Sequence, residues 1–314
     1  MHVLDHFDAH ELRALCERDE FFWLDLLAPS DEQLDELADI VGIPPLALED
    51  AKEMGQRAKI DDYGDRLLIV FYGAQSGTGA ERIRLIEVHL HLSQGRVITV
   101  HREPCSALDP VRTKHAHSDQ EIVYRILDAL SESVLAALRE IESDVAGLED
   151  AAFTNPTELD RRRIVEMRGG LFRLLQVMVP QRDMLESGAD AIERVLGIGV
   201  GQAHHPFQDI RDDLVLAVNL VAYYRELLAE ALNVHLQATS NRLNAIATRL
   251  AVLATIFVPL TLVTSFFGQN FGWMVRHINS FAAFLIFGIG GIVVPGGAIW
   301  LLLRRSGYLN SNGQ

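Results

Sequence analysis

The stretch Leu250–Leu303, LAVLATIFVPLTLVTSFFGQNFGWMVRHINSFAAFLIFGIGGIVVPGGAIWLLL, decides the fold, because it holds two uncharged runs interrupted only by Arg276-His277. Leu250–Val275 and Ile278–Leu303 are each 26 residues long, more than the ~20 that a helix needs to cross a hydrocarbon core. Two membrane helices joined by a short connector form a hairpin with both chain ends on one side. Arg242 and Arg249 precede the first run and Arg304 and Arg305 follow the second, so the positive-inside tendency places that side in the cytoplasm of a cell (inner) membrane.

The rest of the chain has the opposite character. The 314 residues are 49% hydrophobic and carry a net charge of -15, yet mean hydropathy is +0.13. From Leu243 onward there is no Asp, Glu or Lys, so residues 1–242 hold 24 basic and 43 acidic groups, net -19. Such a body attracts cations and lacks the basic surface that nucleic acid requires. Met1–His10 has no apolar core, which predicts no signal peptide. Cys16 and Cys105 stand far from any metal or redox spacing.

Working toward the N-terminus, residues 205–248 continue the first run as a stalk. No breaker interrupts helical periodicity between Pro206 and Pro259, and a helix over 209–267 would span ~90 Å. Residues 118–204 read as a long antiparallel helical hairpin, with arms from Asp119 to Phe153 and from Glu158 to about Leu196, broken at Asn155-Pro156. Residues 1–117 mix periods. Phe22–Leu26, Leu67–Tyr72, Ile83–Leu92 and Arg96–His101 read as strands, and Asp31–Val41 as a helix capped by Ser30. The early strands are separated by helices and the later ones are antiparallel. The expected organisation is an α+β domain at 1–117, the hairpin, the stalk, a first span with its exit at 249–275, a connector and second span at 276–303, and a short tail at 304–314.

Two membrane helices cannot enclose a polar path, so transport requires several copies around an axis. Asn244, Ala247, Ala254, Thr261 and Ser265 recur at helical spacing as a small or polar stripe, with Leu250 and Val258 as apolar constrictions on it. The stripe suits either close helix packing or a narrow pore. The pairs His89/His91, His115/His117 and His204-His205 lack a third ligand and read as packed or solvated imidazoles. No phosphate loop, nucleophile elbow or triad spacing suggests an enzyme.

Asn244–Phe271, NAIATRLAVLATIFVPLTLVTSFFGQNF, resembles the pore helix of the CorA family of divalent-cation channels, and PPLALED (44–50), QRAKIDDY (56–63), VITVHREP (97–104), DPVR (109–112) and VPQRDMLE (179–186) resemble further family blocks. The resemblance implies a funnel-shaped homopentamer embedded in lipid, with the second span as an outer ring. It implies that Gly268, Gln269 and Asn270 occupy the family's Gly-Met-Asn signature at the outer mouth, where amide oxygens would meet hydrated Mg2+. Asn244 and Thr261 fall at the family's polar pore positions, and Leu250 and Val258 at its hydrophobic gate. By register, Asp209 falls at a regulatory cation position, Asp213 lies one turn on, and Asn233 stands where a second family acid is expected. Gln269 replaces the central methionine and the connector has no carboxylate. The ion implied is Mg2+, with Co2+ or Ni2+ as further cargo. A zinc transporter of the ZntB type is the alternative, and a membrane-anchored regulatory module is a third reading.

Overall fold

A computed structural model describes residues 2–77, 82–114, 116–154, 157–197, 204–269, 272–277 and 280–305. Two compact units divide the chain, Met1–His235 and Leu236–Gln314.

In the first unit, six strands form one sheet in the order β1-β2-β6-β5-β4-β3. They are β1 (His2–Leu4), β2 (Phe22–Leu27), β3 (Lys59–Asp62), β4 (Arg66–Ser76), β5 (Ile83–Ser93) and β6 (Arg96–His101). The pairs β1/β2 and β2/β6 are parallel. From β6 to β3 every pair is antiparallel. The parallel half requires crossovers, and α1 (Ala9–Glu17) and α2 (Asp31–Val41) lie where the sequence separates those strands. Ser30 starts α2 with a capping box, its Oγ accepting from Gln33 N while Gln33 Oε1 accepts from Ser30 N. Gly42 ends it at φ +75°, a left-handed conformation that favours glycine. Then α3 (Pro45–Glu53) begins with a proline in its first turn.

Alternation along the strands divides the core between two faces. Phe22, Leu24, Leu68, Val70, Ile98 and Val100 pack with the apolar sides of α1, α2 and α3. Trp23, Leu67, Ile69, Phe71, Val88 and Leu90 pack on the other side with Ile122, Ile126 and Leu130 of α5 (Asp119–Thr154). Gly73 of β4 is required by that approach, since a Cβ there would lie 2.8 Å from Leu130 Cδ2.

Two of the family-like blocks, 97–104 and 109–112, meet β2 in a buried polar network. Trp23 Nε1 donates to Thr99 Oγ1 at 3.0 Å, and Thr99 Oγ1 donates to Asp25 Oδ1 at 2.5 Å. His101 Nε2 lies 3.1 Å from the same oxygen, and Arg112 Nε donates to Asp25 Oδ2 at 2.6 Å. Burial alone would raise the Asp25 pKa, but His101, Thr99 and Arg112 outweigh it and hold the carboxyl below the usual aspartate value. Arg112 belongs to the short α4 (Asp109–Arg112), so this network ties the end of β6 to the segment leading into α5.

The antiparallel partner of α5 is α6 (Glu158–Val195). Helix α7 runs from His204 to Phe267, 64 residues, or about 96 Å. It starts within one residue of the expected stalk boundary at 205, with Pro206 in its first turn, where a missing N–H leaves no helical bond unmade. It ends at Phe267, so the apolar run to Val275 is not one helix. The connector instead contains α8 (Gly272–His277). The second apolar segment is α9 (Phe281–Ala283), a π-helical stretch (Phe284–Ile289) and α10 (Gly290–Arg305). Gly288, Gly290, Gly291 and Pro295 lie in or beside that stretch, residues that relax helical hydrogen bonding. By length and composition, Phe207–Phe267 and Phe281–Leu302 each contain a segment apolar enough to cross a membrane.

Candidate cation path and acidic cluster

Within the second unit, α7 meets α10 along one face. A Cβ on Gly291 would lie 3.2 Å from Val263 Cγ1, and one on Gly296 would lie 3.7 Å from Leu260 Cδ2. The Phe267 and Phe287 rings are 6.2 Å apart. Ile256, Leu260, Val263 and Phe267 are half-buried by this contact. The glycines of the second segment therefore admit bulky α7 side chains, a packing role. At 3.6 residues per turn the stripe Asn244, Ala247, Leu250, Ala254, Val258, Thr261 and Ser265 lies roughly 180° away, and all seven residues are exposed. Pro259 cannot donate to the carbonyl of Thr255 four residues back. Separately, Thr255 Oγ1 donates to Ala251 O at 2.8 Å and Thr264 Oγ1 to Thr261 O at 3.0 Å, so both hydroxyls bond back to their own helix.

At the end of α7, Gly268 N donates to Thr264 O at 2.9 Å and Gln269 N to Phe266 O at 3.3 Å. Gly268 is not left-handed. A Cβ there would stand 3.1 Å from the Thr264 carbonyl oxygen, a tight but not prohibitive approach. Gln269 is exposed, and Asn270 lies outside the described residues. In α8, Trp273 stacks on His277 at 4.7 Å and His277 Nδ1 is 2.9 Å from Trp273 O. Trp273, Val275 and Arg276 are exposed, a mixture suited to a membrane–water interface.

Within the first unit, Asp209 and Asp213 lie one turn apart on α7 and share an electrostatic neighbourhood with Asp128 and Glu132 of α5. Burial, then Glu132 and Asp209, raises the Asp213 carboxyl above its ordinary value, with Arg139 opposing. Burial, Glu132, Asp213 and Asp209 do the same for Asp128. Asp128 and Glu132 are functional candidates that the sequence reading omitted. Their only linear signal is the i, i+4 spacing of acids on α5, which many solvated helices share. Asn233 is exposed on α7, roughly 36 Å along the helix from Asp209 at 1.5 Å per residue. One protomer therefore does not bring Asn233 to this cluster. Among the described residues no group of three His, Cys, Asp or Glu is close enough to hold a bare metal ion.

Of the histidine pairs, His89 and His91 are buried in β5, whereas His117 is exposed. His89 Nε2 is 2.7 Å from Glu87 Oε1. Burial drives the His91 pKa down to about 3, leaving it neutral against the α2–α3 layer. His115 and the side chains of His204 and His205 lie outside the described residues.

The family described as CorA-like Mg2+ transporter protein matches residues 18–305. This chain belongs to that family. The CorA-like chain is 25% identical over 247 residues to the cobalt/magnesium transport protein CorA of Thermotoga maritima, covering 76% of this chain and 69% of the relative. It is 22% identical over 295 residues to the zinc transport protein ZntB of Klebsiella pneumoniae, covering 92% and 89%. In fold it is similar to the complete structure of the CorA magnesium transporter from Methanocaldococcus jannaschii, with a TM-score of 0.78 at 21% identity over 91% of this chain and 90% of that one. The α/β domain, long helices and terminal apolar helix pair are thus a CorA-like arrangement in a membrane transport protein, not an enzyme.

Proposed function

We propose that the protein is a homopentameric channel that admits hydrated Mg2+, with Co2+ or Ni2+ as further cargo, through a pore lined by the exposed stripe of α7. The observation that carries this reading is the direction of the stripe. Asn244, Ala247, Leu250, Ala254, Val258, Thr261 and Ser265 lie opposite the face that α7 uses against α10, so they remain available to copies of the same helix around an axis. Hydroxyls and carboxamides can guide an ion that keeps its water, and Leu250 and Val258 can close the path by excluding water. Gly268, Gln269 and Asn270 would form the outer mouth. The termini would lie in the cytoplasm, beside Arg242, Arg249, Arg304 and Arg305 of an inner-membrane protein. A divalent ion then enters with roughly 4.6 kcal/mol of driving force per 100 mV.

The same proposal gives Asp209 and Asp213, with Asp128 and Glu132 opposite, the regulatory role. Cytoplasmic Mg2+ would reduce their mutual repulsion and favour the closed pore, and depletion would restore the repulsion and favour opening. No three of the described acids are close enough to hold a bare ion, so the ion would be held hydrated and by charge. Asn233 has no carboxylate to contribute.

The orientation is tested by thiol accessibility. Cysteine at Thr261 or Ser265 should react with a charged thiol reagent from the aqueous phase and block flux, while cysteine at Val263 should not. Equal protection of all three would reject the pore assignment. Zn2+ is the second reading, favoured by Gln269 at the signature's centre and by the ZntB relative.

A further inference from the structure

Against the acidic background of the first unit, one open cleft is basic. About 690 Å³ in volume, it lies where the start of β5, the turn after β6 and the middle of α6 come together. Arg84, Arg102 and Arg173 line it, and Glu103 is its one carboxylate. The guanidinium groups are poorly neutralised. Arg84 reaches Glu103 only at 3.6 Å. Arg102 Nη2 donates to the Lys52 carbonyl at 2.8 Å and lies 4.0 Å from Asp31, which fixes it without a close counter-charge. Arg173 has no hydrogen-bond or ion-pair partner among the described residues.

Three like charges lining one cleft repel one another, and an anion in the cleft would reverse the sign of that interaction. Planar guanidinium forks match phosphate oxygens in pairs. Ile83, Leu85 and Leu174 add apolar surface to the lining. Gly170 of α6 faces open space, where a Cβ would approach nothing closer than Arg173 at 4.0 Å, so a large side chain there would enter the cleft. The volume falls in the range of small-molecule sites.

We infer that this cleft binds a nucleoside di- or triphosphate, its phosphates on Arg84, Arg102 and Arg173 and its ring against the apolar lining of Ile83, Leu85 and Leu174. The arginines and Mg2+ compete for the same phosphate oxygens, so the Mg2+-free nucleotide is the favoured ligand. This inference concerns binding alone and stands whether or not the transport reading holds.

The test is thermal unfolding and calorimetric titration of the full-length protein in detergent with ATP, ATP saturated with Mg2+, tripolyphosphate and adenosine. ATP should bind and raise Tm by several degrees at saturation, tripolyphosphate should bind at least tenfold more weakly, ATP saturated with Mg2+ should bind more weakly than free ATP, and adenosine should not bind. R173E and G170L should each weaken ATP at least tenfold while leaving Tm without ligand close to the parent value. Absence of ATP binding at millimolar concentration, or binding unchanged in both variants, would overturn the site. Tripolyphosphate as tight as ATP would overturn the nucleoside assignment, and ATP saturated with Mg2+ as tight as free ATP would overturn the preference for the Mg2+-free form.

Discussion

Gln181 of α6 completes the hydrogen bonding of Tyr72 in β4. Its Oε1 accepts from Tyr72 N at 2.7 Å and its Nε2 donates to Tyr72 O at 3.0 Å, with the amide fully buried. Strand β3 pairs with β4 only as far as Val70, so the edge beyond would be unpaired. Ser133 Oγ of α5 accepts from the next donor on that edge, Ala74 N, at 2.9 Å. A carboxamide, which both accepts and donates, is the group this place requires. Gln181→Leu should therefore orphan two buried backbone groups and destabilise the protein by about 1–3 kcal/mol for each. Thermal unfolding of the full-length variant measures this, and a Tm equal to that of the parent would show that water replaces the amide.

Asp25 is the second test. Asp25→Ala removes the buried acceptor of Thr99 and Arg112; Arg112 is partly exposed and keeps Asp109, so the cost should be about 1–3 kcal/mol. The pH dependence has a definite sign. The folded carboxyl titrates below the ordinary aspartate value, so its contribution is present in full above about pH 4 and is lost as pH falls through the folded value. Acid unfolding curves should show Asp25→Ala losing less stability than the parent across that window.

At the opposite extreme of packing, Gly73 has no room. A Cβ would meet Leu130 Cδ2 at 2.8 Å and Ser133 Oγ at 3.0 Å. Gly73→Val should destabilise by about 1–3 kcal/mol through overpacking, and Leu130→Ala in the same chain should recover part of the loss. Additive destabilisation by the two changes would place the strain elsewhere.

The acidic cluster predicts the reverse of Asp25. Asp213 and Asp128 have raised folded values, so their ionised forms weaken the fold above those values and the penalty disappears as pH falls below them. Asp213→Asn should raise Tm at pH 7 by about a degree or two once solvent screening is allowed for. It should also reduce the further rise that millimolar Mg2+ produces in the parent. An unchanged Mg2+ response would remove Asp213 from regulation.

How much of this is legible in the chain alone differs by element. Helix α2 announces itself through Ser30, Gln33 and Gly42, a local cap at each end. The long helices and the apolar pair are legible because each repeats one period over many turns. The short elements β1, β3, α3 and α8 are not, since three to nine residues carry too little pattern to stand out and their formation depends on neighbours. Leu250–Val275 reads as one span because hydropathy does not register where a helix ends. The polar stripe can be seen from its spacing, whereas its placement opposite the α10 contact depends on Val263 and Leu260 meeting Gly291 and Gly296. Asp128 and Glu132 become candidates only once α5 lies beside α7.

The central claim, a Mg2+ path through copies of α7, is tested most directly by flux of Mg2+ and Zn2+ into proteoliposomes holding the full-length protein under an inside-negative potential. Mg2+ should enter without Zn2+ matching it, and Asn270→Ala should abolish entry while leaving the oligomer intact. Zn2+ flux without Mg2+ flux, or no flux of either ion, would contradict the account.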